Sequence, residues 1–274
     1  VIEVLFVYTF ISFLLVLPQA PKAGGLEGAD YFYVALKSFS IFLAWICSFK
    51  AIRKLPISLY GVLDLSRVLF ATFLGVAILG EILNPFQMFG LIFVCGGLLL
   101  LKFKPKFLKR LFGDSNIEEK EEAADTKEKN AGNEKVGLYV FLAFLSCVLN
   151  AFSGMMDKIL MKDLSSMQLQ FWYMLFLVGF YLIYVLVTRT KIRWKTWLNG
   201  WIWILSILFV LADQALFIAN GMAESRVTVM TLIKQSGCIV TILGGRLIFK
   251  EKGTAYKMFC AAVIVIGIVI GVMG

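Results

Sequence analysis

Histidine is absent from all 274 residues. Without an imidazole, the side chain that titrates unperturbed between about pH 5 and 8 is missing, so any proton coupling falls to Asp or Glu and a histidine base is excluded. Charged residues are scarce as well. They make up 16% of the chain against 60% hydrophobic residues, with 25 Phe, and that balance exceeds what a water-facing surface tolerates. The cysteines Cys47, Cys95, Cys147, Cys238 and Cys260 fall in separate hydrophobic stretches without a CxxC spacing, which reads as small packing residues rather than a metal or disulfide framework. No GxxxxGK[ST] motif occurs, so direct nucleotide hydrolysis is not part of the reading. A membrane-embedded enzyme needs a histidine base or several Asp on one helix for metal chemistry, and neither pattern appears. No enzyme activity, metal or cofactor is expected.

Long hydrophobic runs dominate what is there. A run of about 20 apolar residues crosses a hydrocarbon core roughly 30 Å thick, and nine such spans are expected, near 1 to 17, 31 to 52, 57 to 80, 85 to 102, 136 to 158, 168 to 188, 198 to 220, 226 to 249 and 254 to 273. Lipid offers backbone groups no hydrogen bonds, so spans are helices or a closed barrel, and the lack of strict alternation excludes the barrel. The fold class is therefore an all-α integral membrane protein. The net charge of +9 flanks the spans instead of forming a stripe on a soluble domain, a distribution set by topology in a lipid bilayer and not by nucleic acid.

The segment from Ile57 to Leu101 returns 170 residues later as Val227 to Gly271. This offset aligns Ser66 with Ser236, Gly75 with Gly245, Ile78 with Ile248, Glu81 with Glu251, Met88 with Met258, Phe89 with Phe259 and Gly97 with Gly267, without a gap. Residues 1 to 17 then align with 171 to 187, so a first span of the earlier half is expected to be missing; a signal peptide is the rival reading of the opening run, which ends at Pro18, Gln19 and Ala20. Five spans per half is an odd number, which makes the repeats inverted, as in many secondary transporters. The expected divisions are 1–103 as the first repeat, 104–135 as a charged linker and 136–274 as the second repeat. Within the linker region Lys102, Lys104, Lys106, Lys109 and Arg110 precede a tract of mixed charge around Glu118 to Glu134. That composition reads as solvated. Its basic start is either a stop-transfer cluster or a segment lying on an anionic membrane surface.

Two passages resemble the EamA-type transporters of the drug/metabolite transporter superfamily. The first is Lys50-Ala51-Ile52-Arg53-Lys54-Leu55-Pro56-Ile57-Ser58 with a span ending Leu79-Gly80-Glu81; its counterpart runs Gly221 to Arg226 with a span ending Phe249-Lys250-Glu251. The resemblance implies two inverted five-helix repeats around a cavity lined by the third, fourth, eighth and ninth helices among others, with both termini commonly cytoplasmic. Loop charge points the other way. Lys50, Arg53, Lys54, the Lys102 to Arg110 cluster, Arg189, Lys191, Arg193, Lys195, Lys250, Lys252 and Lys257 share one side, which the positive-inside rule assigns to the cytoplasm, leaving the C-terminus outside. The expected location is the plasma membrane.

An ionised side chain at the bilayer centre costs roughly 2.5 to 3.5 kcal/mol, so such residues face a cavity or a partner. Asp64 and Arg67 stand at i, i+3 on one helix face, and the offset carries Asp64 onto Lys234. Together with Gln235 they form either the polar floor of a binding cavity or an ion pair locking the halves. Asp213, Gln214 and Asn150 are further cavity candidates, with Asp64 and Asp213 as candidate proton acceptors. Asp157 and Lys158 are expected near the interface, Lys158 snorkelling to the headgroups. Glu81 and Glu251 read as structural joints. Trp45 and Tyr60 are placed to stack against an organic solute, while Gly267 and Gly271 form a GxxxG that offers a homodimer contact. The function expected is a secondary transporter of a small organic metabolite or drug-like solute, working by alternating access and open to proton coupling. The alternatives are a membrane-embedded enzyme and a non-transporting receptor or scaffold.

Overall fold

A computed structural model describes residues 2–55, 57–103, 133–190, 192–234 and 254–273. Among them every regular element is helical. In chain order these are α1 Ile2–Val16, a 3₁₀ turn Leu17–Lys22, α2 Gly28–Ile52, α3 Ile57–Leu79, α4 Pro85–Phe103, α5 Asn133–Leu160, α6 Ser166–Val187, the short α7 Trp194–Trp197, α8 Gly200–Gly221, α9 Val227–Lys234 and α10 Thr254–Met273. Five stretches are long and apolar enough to cross a membrane: Ile2–Lys22, Gly28–Ile52, Gly137–Leu160, Ser166–Val187 and Gly200–Gly221. Shorter apolar helices cover Ser66–Leu79, Pro85–Gly97 and Phe259–Gly271. Of the span expected near 226 to 249, the described residues hold only α9.

Local chemistry sets the helix ends. Pro18 and Pro21 lack backbone donors, and the chain passes from α1 into a 3₁₀ turn there. At the start of α6, Gln168 N donates to Ser165 Oγ at 3.3 Å and Ser165 N donates to Gln168 Oε1 at 2.9 Å, a capping box that satisfies two otherwise orphaned donors. Asn199 Oδ1 accepts from Trp201 N at 3.0 Å and starts α8 in the same way.

The chain folds as two compact units, Val1–Phe49 with Leu145–Val227 and Lys50–Phe144 with Thr228–Gly274. They are not the two sequence repeats. The offset of 170 pairs α1 with α6 and α2 with α8, which belong chiefly to the first unit, and α3 with α9 and α4 with α10, which belong to the second. Each unit is thus assembled from corresponding helices of both repeats.

In the second unit this correspondence is visible atom by atom. A Cβ built on Gly97 would lie 2.7 Å from Ile264 Cγ1 and 3.3 Å from Cys260 O; one built on Gly267 would lie 2.8 Å from Val94 N and 2.9 Å from Gly90 O. Subtracting the offset turns 260 and 264 into 90 and 94, so the two contacts are one contact seen from both repeats. Rising numbers on α4 meet falling numbers on α10. The helices are antiparallel and related by a pseudo-twofold axis across them, which makes the repeat inverted. Counterparts Val94 and Ile264 share one buried cluster with Leu232. Gly271 also belongs to this seam, because a Cβ built on Gly90 would stand 2.7 Å from its Cα and its N. The GxxxG of α10 therefore packs on α4 of the same chain, since small residues let the two backbones approach closely.

A methyl group on this seam meets backbone that cannot step aside. Gly90→Ala and Gly267→Ala are each expected to cost about 1–3 kcal/mol. Gly96, where a Cβ has nothing within 4 Å, is the control: Gly96→Ala should be neutral or stabilise by about 0.5–1 kcal/mol, the usual gain in a helix. Thermal unfolding of the purified protein in detergent separates the two classes.

Candidate functional site

The first unit contains a buried ion pair. Lys37, nine residues after the first residue of α2, lies with Nζ 3.0 Å from Oδ1 of Asp157 near the end of α5, and the two residues are 2% and 4% exposed. Two aromatic rings also face the ammonium. The Tyr173 ring of α6 has its centroid 3.5 Å from Nζ, and the Phe217 ring of α8 lies at 5.1 Å. A cation over an aromatic face is attracted by the ring quadrupole, by about 2 kcal/mol when desolvated. Four helices thus meet around one lysine.

Polar contacts hold these helices in place. Ser38, next to Lys37, donates from Oγ to Val34 O at 2.7 Å within α2 and to Tyr173 O at 3.2 Å across to α6. Gln170 Nε2 donates to Val210 O at 2.7 Å, joining α6 to α8. Lys158 does not reach outward as expected from sequence. Its ammonium donates to Asn220 O at 3.0 Å, Met222 O at 2.8 Å and Ser225 Oγ at 2.7 Å, and so binds the C-terminal end of α8, where carbonyls without helical partners and the helix dipole favour a cation. Asp157 is buried within the protein and paired.

The residues singled out from the sequence fall in several places. Asp213 is half-buried on α8 and acts electrostatically on Tyr8 and Tyr173, which brings it to the margin of the ion pair. Gln214 donates from Nε2 to Ser166 Oγ at 2.9 Å, while its Oε1 is buried without a hydrogen bond. Asn150 donates to Ser146 O at 2.9 Å within α5. Trp45 stands in an aromatic cluster, its ring 6.1 Å from Tyr8, 5.7 Å from Phe209 and 6.5 Å from Tyr181.

Other expected residues belong to the second unit. Arg67 Nη2 lies 4.0 Å from Asp64 Oδ2, with side chains 35% and 42% exposed, a loose i, i+3 pair. Tyr60 lies on α3 and Lys234 ends the described part of α9 with an exposed side chain. Gln235 and Glu251 lie outside the described residues. Glu81 joins two elements: its Oε2 accepts from Thr228 Oγ1 at 3.2 Å at the start of α9, and its N–H donates to Gly75 O at 3.0 Å. Gly80 has a φ of +66°, a left-handed turn that glycine adopts without strain. A Cβ on Gly75 would come within 2.7 Å of Glu81 Oε2. The Gly-Glu ending of α3 is thereby explained by space and turn geometry.

Lys37 was not among the residues expected to matter. Its signal is plain in retrospect, since it is a lysine well inside a hydrophobic span. The offset carries it to Ile207, so the charge exists in one repeat only.

The model of the EamA-like transporter family matches residues 1–103 and 137–273. The chain belongs to the EamA-like transporter family. It is a membrane transporter of the drug/metabolite transporter superfamily, an integral multi-pass protein. Among the solved structures similar in fold to this EamA-like chain is a crystal structure with a TM-score of 0.61 at 11% identity, covering 98% of this chain and 95% of the other. No curated protein matches it.

Breaking the pair from one side is expected to be costly. Lys37→Met or Asp157→Leu alone leaves a buried charge without its counter-ion and should destabilise by about 3–5 kcal/mol, whereas the combined variant, apolar on both sides, should recover most of the loss. A double-mutant cycle measured by denaturant or thermal unfolding checks this.

Proposed function

We propose that this EamA-like transporter is a secondary transporter that moves a small organic solute by alternating access. The observation that carries the reading is the reciprocal, antiparallel packing of α4 on α10, in which Gly97 and Gly267 make the same contact from opposite repeats. Two halves related in this way have near-equivalent packings, and exchange between such packings is how inverted-repeat transporters open alternately to each side. Polar residues inside the spans supply the rest. Within the second unit Asp64, Arg67 and Lys234, with Gln235 and Tyr60, line the solute's route in this reading. With no histidine present, any coupled proton falls to a carboxylate, and Asp64 and Asp213 are the positions expected from sequence alone.

The second unit's glycine seam fits an intramolecular role for the last helix. In this reading Gly267 and Gly271 serve α4 and not a second copy of the chain.

Counterflow in proteoliposomes tests the proposal. Vesicles preloaded with one unlabelled solute from a panel of amino acids, carboxylates and amines should accumulate the labelled form faster than vesicles loaded with buffer, a trans-stimulation that channels and scaffolds do not give. Asp64→Asn combined with Lys234→Met should lower that flux at least about tenfold, equivalent to about 1.4 kcal/mol. Unchanged flux removes these two residues from the route, and the absence of trans-stimulation for every solute tried removes alternating access.

A further inference from the structure

We propose that Lys37 and Asp157 form an exchangeable ion pair, so that the site in the first unit takes up an anionic group of the solute together with one proton. The inference rests on the transporter reading and deepens it by naming a substrate class. Lys37 is the anchor for the anion, a carboxylate in the simplest case, and Asp157 is the proton acceptor.

Both members are at least 96% buried and stand 3.0 Å apart, so neither can lose its partner without leaving an uncompensated charge in a low-dielectric interior. An event that opens the pair must therefore compensate both members. A solute anion that reaches Lys37 satisfies the ammonium and strands Asp157. A proton taken from solution by the Asp157 carboxylate then removes that charge, so that neither member is left as an uncompensated buried ion. The two arrive together, and their release on the other side restores the pair. Each cycle carries one anionic charge with one proton.

The mirror arrangement, a cationic solute on Asp157 with Lys37 giving up its proton, is disfavoured by an asymmetry in the site. The ammonium has a second stabilising environment, the faces of Tyr173 and Phe217, which remains when Asp157 is neutralised. Asp157 Oδ1 is buried and accepts no hydrogen bond, so this oxygen has the charge contact with Lys37 in place of such a second environment. Asp157 is therefore the member whose charge is given up.

Tyr173 lies under the ammonium, and Asp213, Tyr8 and Tyr181 act on Tyr173 in turn. Lys158, next to Asp157 in the chain, directs its ammonium to the end of α8.

Thermal shift of the full chain in nanodiscs tests the assignment, with phenylacetate, succinate and gluconate as anionic probes and phenethylamine and tetraethylammonium as cationic ones. At least one carboxylate at saturation should raise Tm by about 5 °C near pH 6, and its apparent affinity should fall about tenfold per pH unit as pH rises. The amines should leave Tm unchanged. In Lys37→Met with Asp157→Leu, the apolar pair chosen to keep the fold, the carboxylate shift should vanish. The proposal is overturned if no carboxylate shifts Tm, if the shift survives in that variant, if it is independent of pH, or if the amines stabilise instead. Counterflow of an amine without carboxylate binding would sink the anion site and keep the transporter; carboxylate binding without any flux would do the reverse.

Discussion

A charge inside this apolar chain persists only where its compensation is built beside it. The chain is 60% hydrophobic, and the environment it implies cannot solvate an ammonium or a carboxylate. Lys37 has Asp157 and two ring faces. Lys158 has the carbonyls that end α8. Glu81 has Thr228. Each compensation joins helices that are distant in sequence, so the same contacts that tolerate the charges also define which helices pack together. Glu3 follows the rule at the edge of the first unit, where its Oε1 accepts from Arg193 N at 2.7 Å and from Thr196 Oγ1 at 2.5 Å and ties α1 to the short helix α7.

Charge compensation fixes specific pairs, whereas close packing fixes the symmetry. On the α4–α10 seam the backbones approach until no Cβ fits at Gly90, Gly97 or Gly267. Such a contact tolerates little sliding, since the next register brings a side chain where a hydrogen now sits. Because the contact made by Gly97 reappears at Gly267 under the offset of 170, the seam is a two-sided joint between the repeats. The ion pair of the first unit has no such twin, for Ile207 occupies the position corresponding to Lys37. Scaffold is where the repeat is kept, and chemistry is where it is broken.

Much of the architecture was legible in the residues. Hydrophobic length marked the helices, and the odd number of spans implied inversion, which the antiparallel glycine contacts bear out. Site residues were harder to read. Asp157 and Lys158 stand near a helix end, a position that suggests the interface, and nothing in that position foretells that Asp157 pairs with Lys37 of α2 at 4% exposure or that Lys158 binds the end of α8. Gly267 and Gly271 carry a spacing that serves a neighbour within the chain as well as a second copy, and nothing in the spacing distinguishes them.

By itself the sequence determined that the chain is helical, membrane-embedded, duplicated and free of histidine, because length, hydropathy and composition are properties of residues taken in order. Only the tertiary structure decided that Lys37 meets Asp157 over Tyr173 and Phe217, and that the glycines of α10 close on α4. Those are contacts between positions 120 to 181 residues apart, and helical periodicity carries no information about which faces of distant helices will meet.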